Sequence, residues 1–160
     1  MTASTMLVFR SAQQQPEPAM PPDVTFEVIE GGGQALRVVA AYAAFYGLSA
    51  AMKMVAKVMT RRRSYYVARR GRRIVSDGWM MAGWCSSYSI GARDYVIGPI
   101  QTEEAERGQG LAHLCLVRGM NHCLRRGAKW VYIDTTDDNH ASRRAIEKSG
   151  MMLAREIALP

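Results

Sequence analysis

A glycine-rich loop is the part of this sequence whose residue types most clearly suggest chemistry. It reads Arg107-Gly108-Gln109-Gly110-Leu111-Ala112 and lies between a predicted strand and a predicted helix. Glycine lets the backbone turn tightly and approach a ligand closely, and the free N–H groups at the start of a helix attract anions. The loop therefore predicts an anion site, with a pyrophosphate as its natural occupant. By itself, the pattern also fits a glycine turn that only leads into a helix.

A second group of residues follows the loop in a defined order. After the helix and a further strand come Asn139 and Ser142, and then the run Ala145-Ile146-Glu147-Lys148-Ser149-Gly150-Met151. Two motifs in this order resemble the GNAT superfamily of acetyl-CoA-dependent N-acetyltransferases, because Arg107, Gly110 and Ala112 fill its (Gln/Arg)-x-x-Gly-x-(Gly/Ala) signature. The resemblance is specific from about residue 94 to residue 151. Before residue 94, the resemblance is limited to the order of the predicted helices and strands.

The resemblance implies a fold and a cofactor site. The fold is α+β with three layers, in which helices flank a mixed, mostly antiparallel central sheet. Two neighbouring strands splay apart, and the gap holds the pantetheine arm of acetyl-CoA, while the loop holds the pyrophosphate. The residues predicted to bind the cofactor are Ile100, Gln101, Thr102, Arg107, Gly108, Gln109, Gly110, Leu111, Ala112, Asn139 and Ser142. As an alternative, Asn139 only caps its helix.

The implied reaction is direct transfer of the acetyl group to a primary amine of a small molecule or peptide, in a ternary complex. Such a transfer needs neither an enzyme nucleophile nor a metal. The amine must lose a proton, and a carboxylate at the mouth of the site can take it. The predicted catalytic residues are Glu103, as base, and Asn139; Glu104 is a second candidate base and Asp134 a reserve.

One departure from the family pattern concerns the proton for the leaving thiolate. Many members of the family carry a tyrosine acid in the second motif, whereas Ile146 occupies that register here. Tyr132 or Tyr95 could replace it, or the thiolate could leave with water, because a thiol of pKa about 8.5 needs only weak help. The missing tyrosine also motivates an alternative function, a CoA-binding module without catalysis.

Hydrophobic periodicity and turn residues predict the elements that position these residues. Gly47 divides a long helical stretch in two, and Gly98-Pro99 interrupts a strand where its pairing is expected to be lost. The expected strands cover residues 24–29, 64–68, 74–85, 94–102, 129–136 and 151–159, and the expected helices cover 34–59, 111–126 and 140–149.

Length and composition predict one soluble domain over residues 24–160. The chain has 160 residues, 48% of them hydrophobic and 22% charged, which excludes a disordered or fibrous protein. The longest uncharged apolar run, Val38 to Met52, is shorter than the roughly 20 residues of a membrane span. Three cysteines without ligand spacing and no signal sequence favour a cytoplasmic protein without a disulfide framework or zinc site. The sequence is also compatible with a homodimer.

Residues 1–23 are rich in proline and glutamine and are expected to form a flexible lead-in. A short strand over residues 6–10, added to a sheet edge, is the less favoured alternative.

The net charge of +7 comes mostly from arginine and suggests an acidic partner. Clusters at 61–63 and 69–73 would suit nucleic acid, but they are not interleaved with aromatic residues, so an arginine-rich nucleic-acid-binding protein is the weaker alternative. Acetyl-CoA is itself a smaller acidic partner. The charge disfavours a polycationic acceptor and favours a neutral or anionic amine. Aromatic residues of the first half, including Trp79 and Trp84, either line the acceptor pocket or, as favoured, pack the core.

Overall fold

The structure is a computed structural model that describes residues 4–159, and a seven-stranded sheet forms its centre. The strand order is β2-β3-β4-β5-β6-β1-β7, and every neighbouring pair is antiparallel except β5 and β6. The elements are β1 (Thr5–Ser11), β2 (Val24–Ile29), α1 (Gly32–Tyr46), α2 (Leu48–Met59), β3 (Arg63–Arg70), β4 (Arg73–Ala82), β5 (Tyr95–Thr102), α3 (Leu111–Arg125), β6 (Val131–Thr136), α4 (His140–Lys148) and β7 (Met152–Ala158). A short 3-10 turn, Glu104–Glu106, follows β5.

Helices cover both faces of this sheet, because alternate residues of its strands are apolar on opposite sides. In β3, Tyr65 packs with the residues of α1 and α2, whereas the next residue, Tyr66, packs with those of α3. Ile146 of α4 joins the core on the α3 side. The predicted three-layer fold with a mostly antiparallel sheet is confirmed, and α1 and α2 are divided at Gly47 (φ +90°) as expected.

The predicted lead-in over residues 1–23 needs correction where the structure describes it. Thr5–Ser11 forms β1, which lies between β6 and β7 rather than at an edge. Leu7, Val8 and Phe9 are all buried. The partners of β1 lie more than a hundred residues away in the chain, so local composition carried little sign of the pairing.

The segment between β1 and β2 has no regular structure, yet α3 holds it in place. The buried side chain of Asn121 accepts a hydrogen bond from the Gln15 N–H at 2.9 Å and donates one to the Gln15 carbonyl at 2.7 Å. Glu17 forms ion pairs with Arg118 and Arg125. This proline-rich segment is therefore a strap across α3.

The parallel pair β5 and β6 is the place where the sheet opens. Only Tyr95 with Val131 and Val96 with Tyr132 are in register between these strands. Beyond Val96, the pairing of β5 with β4 also shifts, since Gly98 and Pro99 together face the position of Trp79. The splayed strand pair predicted around Gly98-Pro99 is thus present.

None of the helices between residues 4 and 159 has both the length and the apolar character that crossing a membrane requires.

Candidate active site

A cavity of about 760 Å³ lies between the splayed strands and the start of α3, and we refer to it as the loop cavity. The end of β5, the glycine loop, α3 and α4 form its walls. Three cations lie on its wall: Arg107, Arg144 and Lys148. The cavity therefore combines a cationic rim with a free strand edge, because β5 stays paired with β4 but no longer pairs with β6 beyond Val96. This combination suits a long molecule with a phosphorylated end.

Backbone conformation explains why the loop needs its glycines. Gly108 and Gly110 have φ of +80° and +78°, in the left-handed region that side chains disfavour. Apart from each glycine and its two chain neighbours, no atom of residues 4–159 lies within 4 Å of the position that a Cβ would take at either glycine, so the space beside the loop is open. Gly110 precedes α3, and no side chain caps that helix. Its first N–H groups are thus available to an anion.

The structure brings most of the predicted cofactor residues to this one cavity. Its lining includes Ile100, Gln101, Thr102, Arg107, Gly108, Gly110, Leu111, Ala112, Asn139 and Ser142, but not Gln109. Asn139 caps α4, because its Oδ1 accepts the Ser142 N–H at 3.1 Å. The amide nitrogen is therefore the atom that Asn139 can offer to a ligand.

Glu106 is a residue of this site that the sequence analysis missed. It is buried in the loop cavity wall, and its carboxylate is 3.1 Å from Arg70 and 2.6 Å from Arg73. Arg73 also pairs with Glu103 at 3.3 Å. The β3–β4 hairpin thus holds the 3-10 turn from which the glycine loop starts, and several arginines of the 69–73 cluster are occupied by intramolecular pairs.

Replacing Glu106 with Gln should therefore destabilise the fold. Both arginines are partly exposed, so we expect a loss of about 2 kcal/mol, less than for a fully buried pair. Urea unfolding followed by circular dichroism measures this loss. Glu104→Gln is the matched control, because Glu104 is exposed in the same turn. Equal unfolding midpoints for the two variants would show that the ion pairs contribute nothing.

A second cavity, of about 540 Å³, lies on the other side of the opening and is called the aromatic cavity here. Trp79 of β4 and Trp84 of the following loop line it, together with Asp134 of β6. The two cavities share Ile100, Ile133, Asn139 and Ser142, so they meet at the gap between the strands. The favoured core role is confirmed for Trp79, which also packs against the core beside Tyr65, whereas it was wrong for Trp84, which is half exposed.

Asp134 is the carboxylate residue among those that line the aromatic cavity. Its Oδ2 accepts a hydrogen bond from the Tyr88 hydroxyl at 2.9 Å. Burial, together with the nearby charge of Asp134, raises the pKa of Tyr88, so this hydroxyl keeps its proton and fixes the orientation of the carboxylate. The other carboxylate oxygen can face a ligand.

The structure does not bring the other predicted acid–base residues to this cavity. Glu103 is paired with Arg73, and neither Glu103 nor Glu104 lines the loop cavity or the aromatic cavity. Tyr132 is buried and packs with Val8 and Tyr88, and Tyr95 packs against the core around α3. Neither tyrosine lines either cavity.

A buried carboxylate in β4, opposite Gln101 of β5, is a further feature without a signal in the sequence. Asp77 accepts hydrogen bonds from the hydroxyls of Tyr65 and Tyr46, and the Tyr46 hydroxyl lies 3.1 Å from Gln101 Oε1. Burial raises the pKa of Asp77, and the two tyrosine hydrogen bonds partly oppose this effect. The network connects the face of the sheet that α1 and α2 cover to Gln101, which lines the loop cavity.

No cluster of three or more His, Cys, Asp or Glu residues able to hold a metal ion occurs within residues 4–159.

Comparisons with solved structures show the same fold in other proteins. A GCN5-related N-acetyltransferase from Sphaerobacter thermophilus is 17% identical, with a TM-score of 0.68, and the match covers 96% of this chain and 50% of that one. A tandem GNAT protein from the clavulanic acid biosynthesis pathway is 13% identical, with a TM-score of 0.66 and coverage of 98% and 52%. This chain therefore spans about half the length of these two proteins.

A third similar structure has nearly the length of this chain. It is an aminoglycoside acetyltransferase from an uncultured soil metagenomic sample, in complex with sisomicin, at 8% identity and a TM-score of 0.65. The match covers 86% of this chain and 94% of that one. A search of curated proteins found no match.

A family model described as GNAT acetyltransferase matches residues 61–156, which is more than half of the chain and includes the glycine loop and Asn139. The sequence resemblance is thereby confirmed, and the chain belongs to the GNAT acetyltransferase family.

Proposed function

We propose that this protein is an N-acyltransferase that moves an acetyl group from acetyl-CoA to a primary amine. The observation that carries the proposal is the meeting of two different cavities at the gap between β5 and β6. One has a cationic rim and an uncapped helix start, and the other has aromatic walls and a carboxylate. Membership of an acetyltransferase family supports the same class of reaction.

The residues of the loop cavity fit a CoA-type donor. The N–H groups at the start of α3 and the cations Arg107 and Arg144 would hold the phosphates, and the unpaired edge of β5 at Ile100 and Thr102 would hold the pantetheine amides. A bound acyl-CoA supplies a thioester, whose C–S bond breaks as the amine nitrogen forms a bond to the acyl carbon.

On the acceptor side, Asp134 would serve as the base. An ammonium of pKa near 8–10 must lose a proton before it can react, and Asp134 would accept that proton in the aromatic cavity. Tyr88 would keep the carboxylate oriented through the hydrogen bond to Oδ2. Ile146 is buried in the core and offers no proton, so the released sulfur would take its proton from water.

The donor half of the proposal is tested with Gly110→Asp. A negative charge at the helix start, beside the phosphates, should cost about 2 kcal/mol of binding free energy, which corresponds to roughly a 30-fold increase in the Kd for CoA. Isothermal titration calorimetry with CoA measures this change. Gly127→Asp is the matched control, because Gly127 also has positive φ (+89°) and open space but lies outside both cavities.

Two results would contradict the proposal. If Gly110→Asp and Gly127→Asp bind CoA equally well while folded, the glycine loop does not hold the phosphates. If the unmodified protein binds CoA but releases no thiol from acetyl-CoA with any amine tested, it is a CoA-binding module without catalysis.

A further inference from the structure

Two cations on the wall of the aromatic cavity have no part in the function proposed so far. Lys57, at the end of α2, places its Nζ 5.3 Å from the centre of the Trp79 ring. Arg63, at the start of β3, places its guanidinium carbon 5.5 Å from the centre of the Trp84 ring. The tryptophans thus fix both cations at the wall by cation–π contacts.

Neither cation is neutralised by the part of the chain that the structure describes. Lys57 and Arg63 form no ion pair with any residue between 4 and 159, whereas Arg69 pairs with Glu27 and Arg73 with Glu106. Arg69, Arg70 and Arg73 therefore hold the β3–β4 hairpin to its neighbours. Lys57 and Arg63 instead keep their charge available at the edge of a cavity.

The charges of the aromatic cavity decide which amine it can accept. Lys57 and Arg63 provide two positive charges and Asp134 provides one negative charge. A simple ammonium meets a net repulsion there, but a molecule that also carries an anionic group can satisfy both signs at once. The cavity volume of about 540 Å³ is in the range of pockets for small molecules.

We infer, resting on the amine acylation proposed above, that the acceptor is a small primary amine that also carries a carboxylate or a phosphate. Asp134 binds the ammonium end at the gap between the strands. Lys57 and Arg63 bind the anionic end, and the faces of Trp79 and Trp84 contact the carbon skeleton between them.

Matched pairs of amines test this inference. 4-(Aminomethyl)benzoate is compared with benzylamine for the carboxylate, and O-phosphoethanolamine with ethanolamine for the phosphate, in a thiol-release assay with acetyl-CoA. The anionic member of at least one pair should have a kcat/KM at least 10-fold higher than that of its partner, and the better pair identifies the anion. Equal values within both pairs, or a preference for the plain amines, would overturn the inference.

Substitutions of the cations separate a binding role from a structural one. Lys57→Met and Arg63→Met should each raise the KM for the preferred anionic amine about 10-fold with little change in kcat, because the anionic end is remote from the reacting nitrogen. The ratio of kcat/KM for the anionic amine to kcat/KM for the plain amine should fall by the same factor. Lys53→Met is the control, since Lys53 is exposed on α2 and lines neither cavity. A preference unchanged by Lys57→Met and Arg63→Met would contradict the assignment.

Cys85 provides a readout that needs no turnover. It lines the aromatic cavity and is partly exposed, whereas Cys115 and Cys123 are buried, and burial raises the pKa of each of these two thiols to about 12. Iodoacetamide should therefore alkylate Cys85 first. With desulfo-CoA present, the anionic amine should slow this alkylation at least 5-fold, and its plain partner should not.

The two assays distinguish failure of the inference from failure of the proposed function. Protection of Cys85 by the anionic amine without thiol release would leave the acceptor class standing and reject acetylation. Thiol release with plain amines, without selective protection by anionic ones, would support acetylation and reject the acceptor class.

Discussion

Asp134→Asn is expected to lower kcat for amine acetylation about 100-fold, the lower end of the range for loss of a general base. The amide can still accept the hydrogen bond that Tyr88 donates to Oδ2, so the cavity should keep its shape while losing the group that takes the proton. The affinity for CoA should not change, because Asp134 lines the aromatic cavity and not the loop cavity. Thiol release at saturating substrates, together with calorimetry for CoA, measures both effects.

The pH dependence of this variant adds a check on the role of Asp134. As the pH rises towards the pKa of the free amine, a larger fraction of the amine is already deprotonated and needs no base. The ratio of the kcat of the unmodified protein to the kcat of Asp134→Asn should therefore be smaller at pH 9 than at pH 7. Glu103→Gln is the competing variant. If it lowers kcat while Asp134→Asn does not, the base is the carboxylate predicted first from the sequence, and its pairing with Arg73 must break in the working enzyme.

Val8→Asp is expected to prevent folding. Val8 is fully buried in β1, directly opposite Asp134 on β6 and Arg155 on β7, and it packs with Tyr88 and Tyr132. A carboxylate there is removed from water and lies opposite the carboxylate of Asp134, and Arg155 opposes it from an exposed position. We therefore expect a cost of several kcal/mol, which is a large part of the roughly 5–15 kcal/mol that stabilises a domain. Circular dichroism and gel filtration should show an unfolded or aggregated chain.

The matched control for this variant is Met152→Asp on β7. Met152 is 68% exposed at the edge of the sheet, so the same charge remains in water and the fold should persist. A Val8→Asp protein with the circular dichroism spectrum and thermal midpoint of the unmodified chain would show that β1 does not occupy the middle of the sheet.

The geometry of the glycine loop and of the loop cavity could be predicted from the sequence, because the signals for it are local. The left-handed glycines, the start of α3 and the cap at Asn139 depend on residues close together in the chain. Gly98-Pro99 likewise marked where β5 loses its regular pairing. The prediction of the loop cavity therefore needed only the order of a few elements.

The aromatic cavity could not be predicted from the sequence, because segments far apart in the chain form it. Trp79, Trp84, Lys57 and Asp134 come from different elements, and the folded sheet places them around one cavity. The sequence offered carboxylates in several loops, with nothing to show that Glu103 would be paired with Arg73. To choose Asp134 as the candidate base, one must know which carboxylates line the cavities at the gap between β5 and β6.

By itself, the sequence determined the glycine loop and the family resemblance, since the motifs that carry them lie within short stretches of chain, and that resemblance implied the three-layer α+β fold. Only the tertiary structure decided that β1 lies in the middle of the sheet and that Asn121 holds the strap. It also decided which cations form ion pairs, as Arg73 does, and which line the aromatic cavity, as Lys57 and Arg63 do. Each of these depends on contacts between residues far apart in the chain, whose partners become fixed only when the sheet assembles.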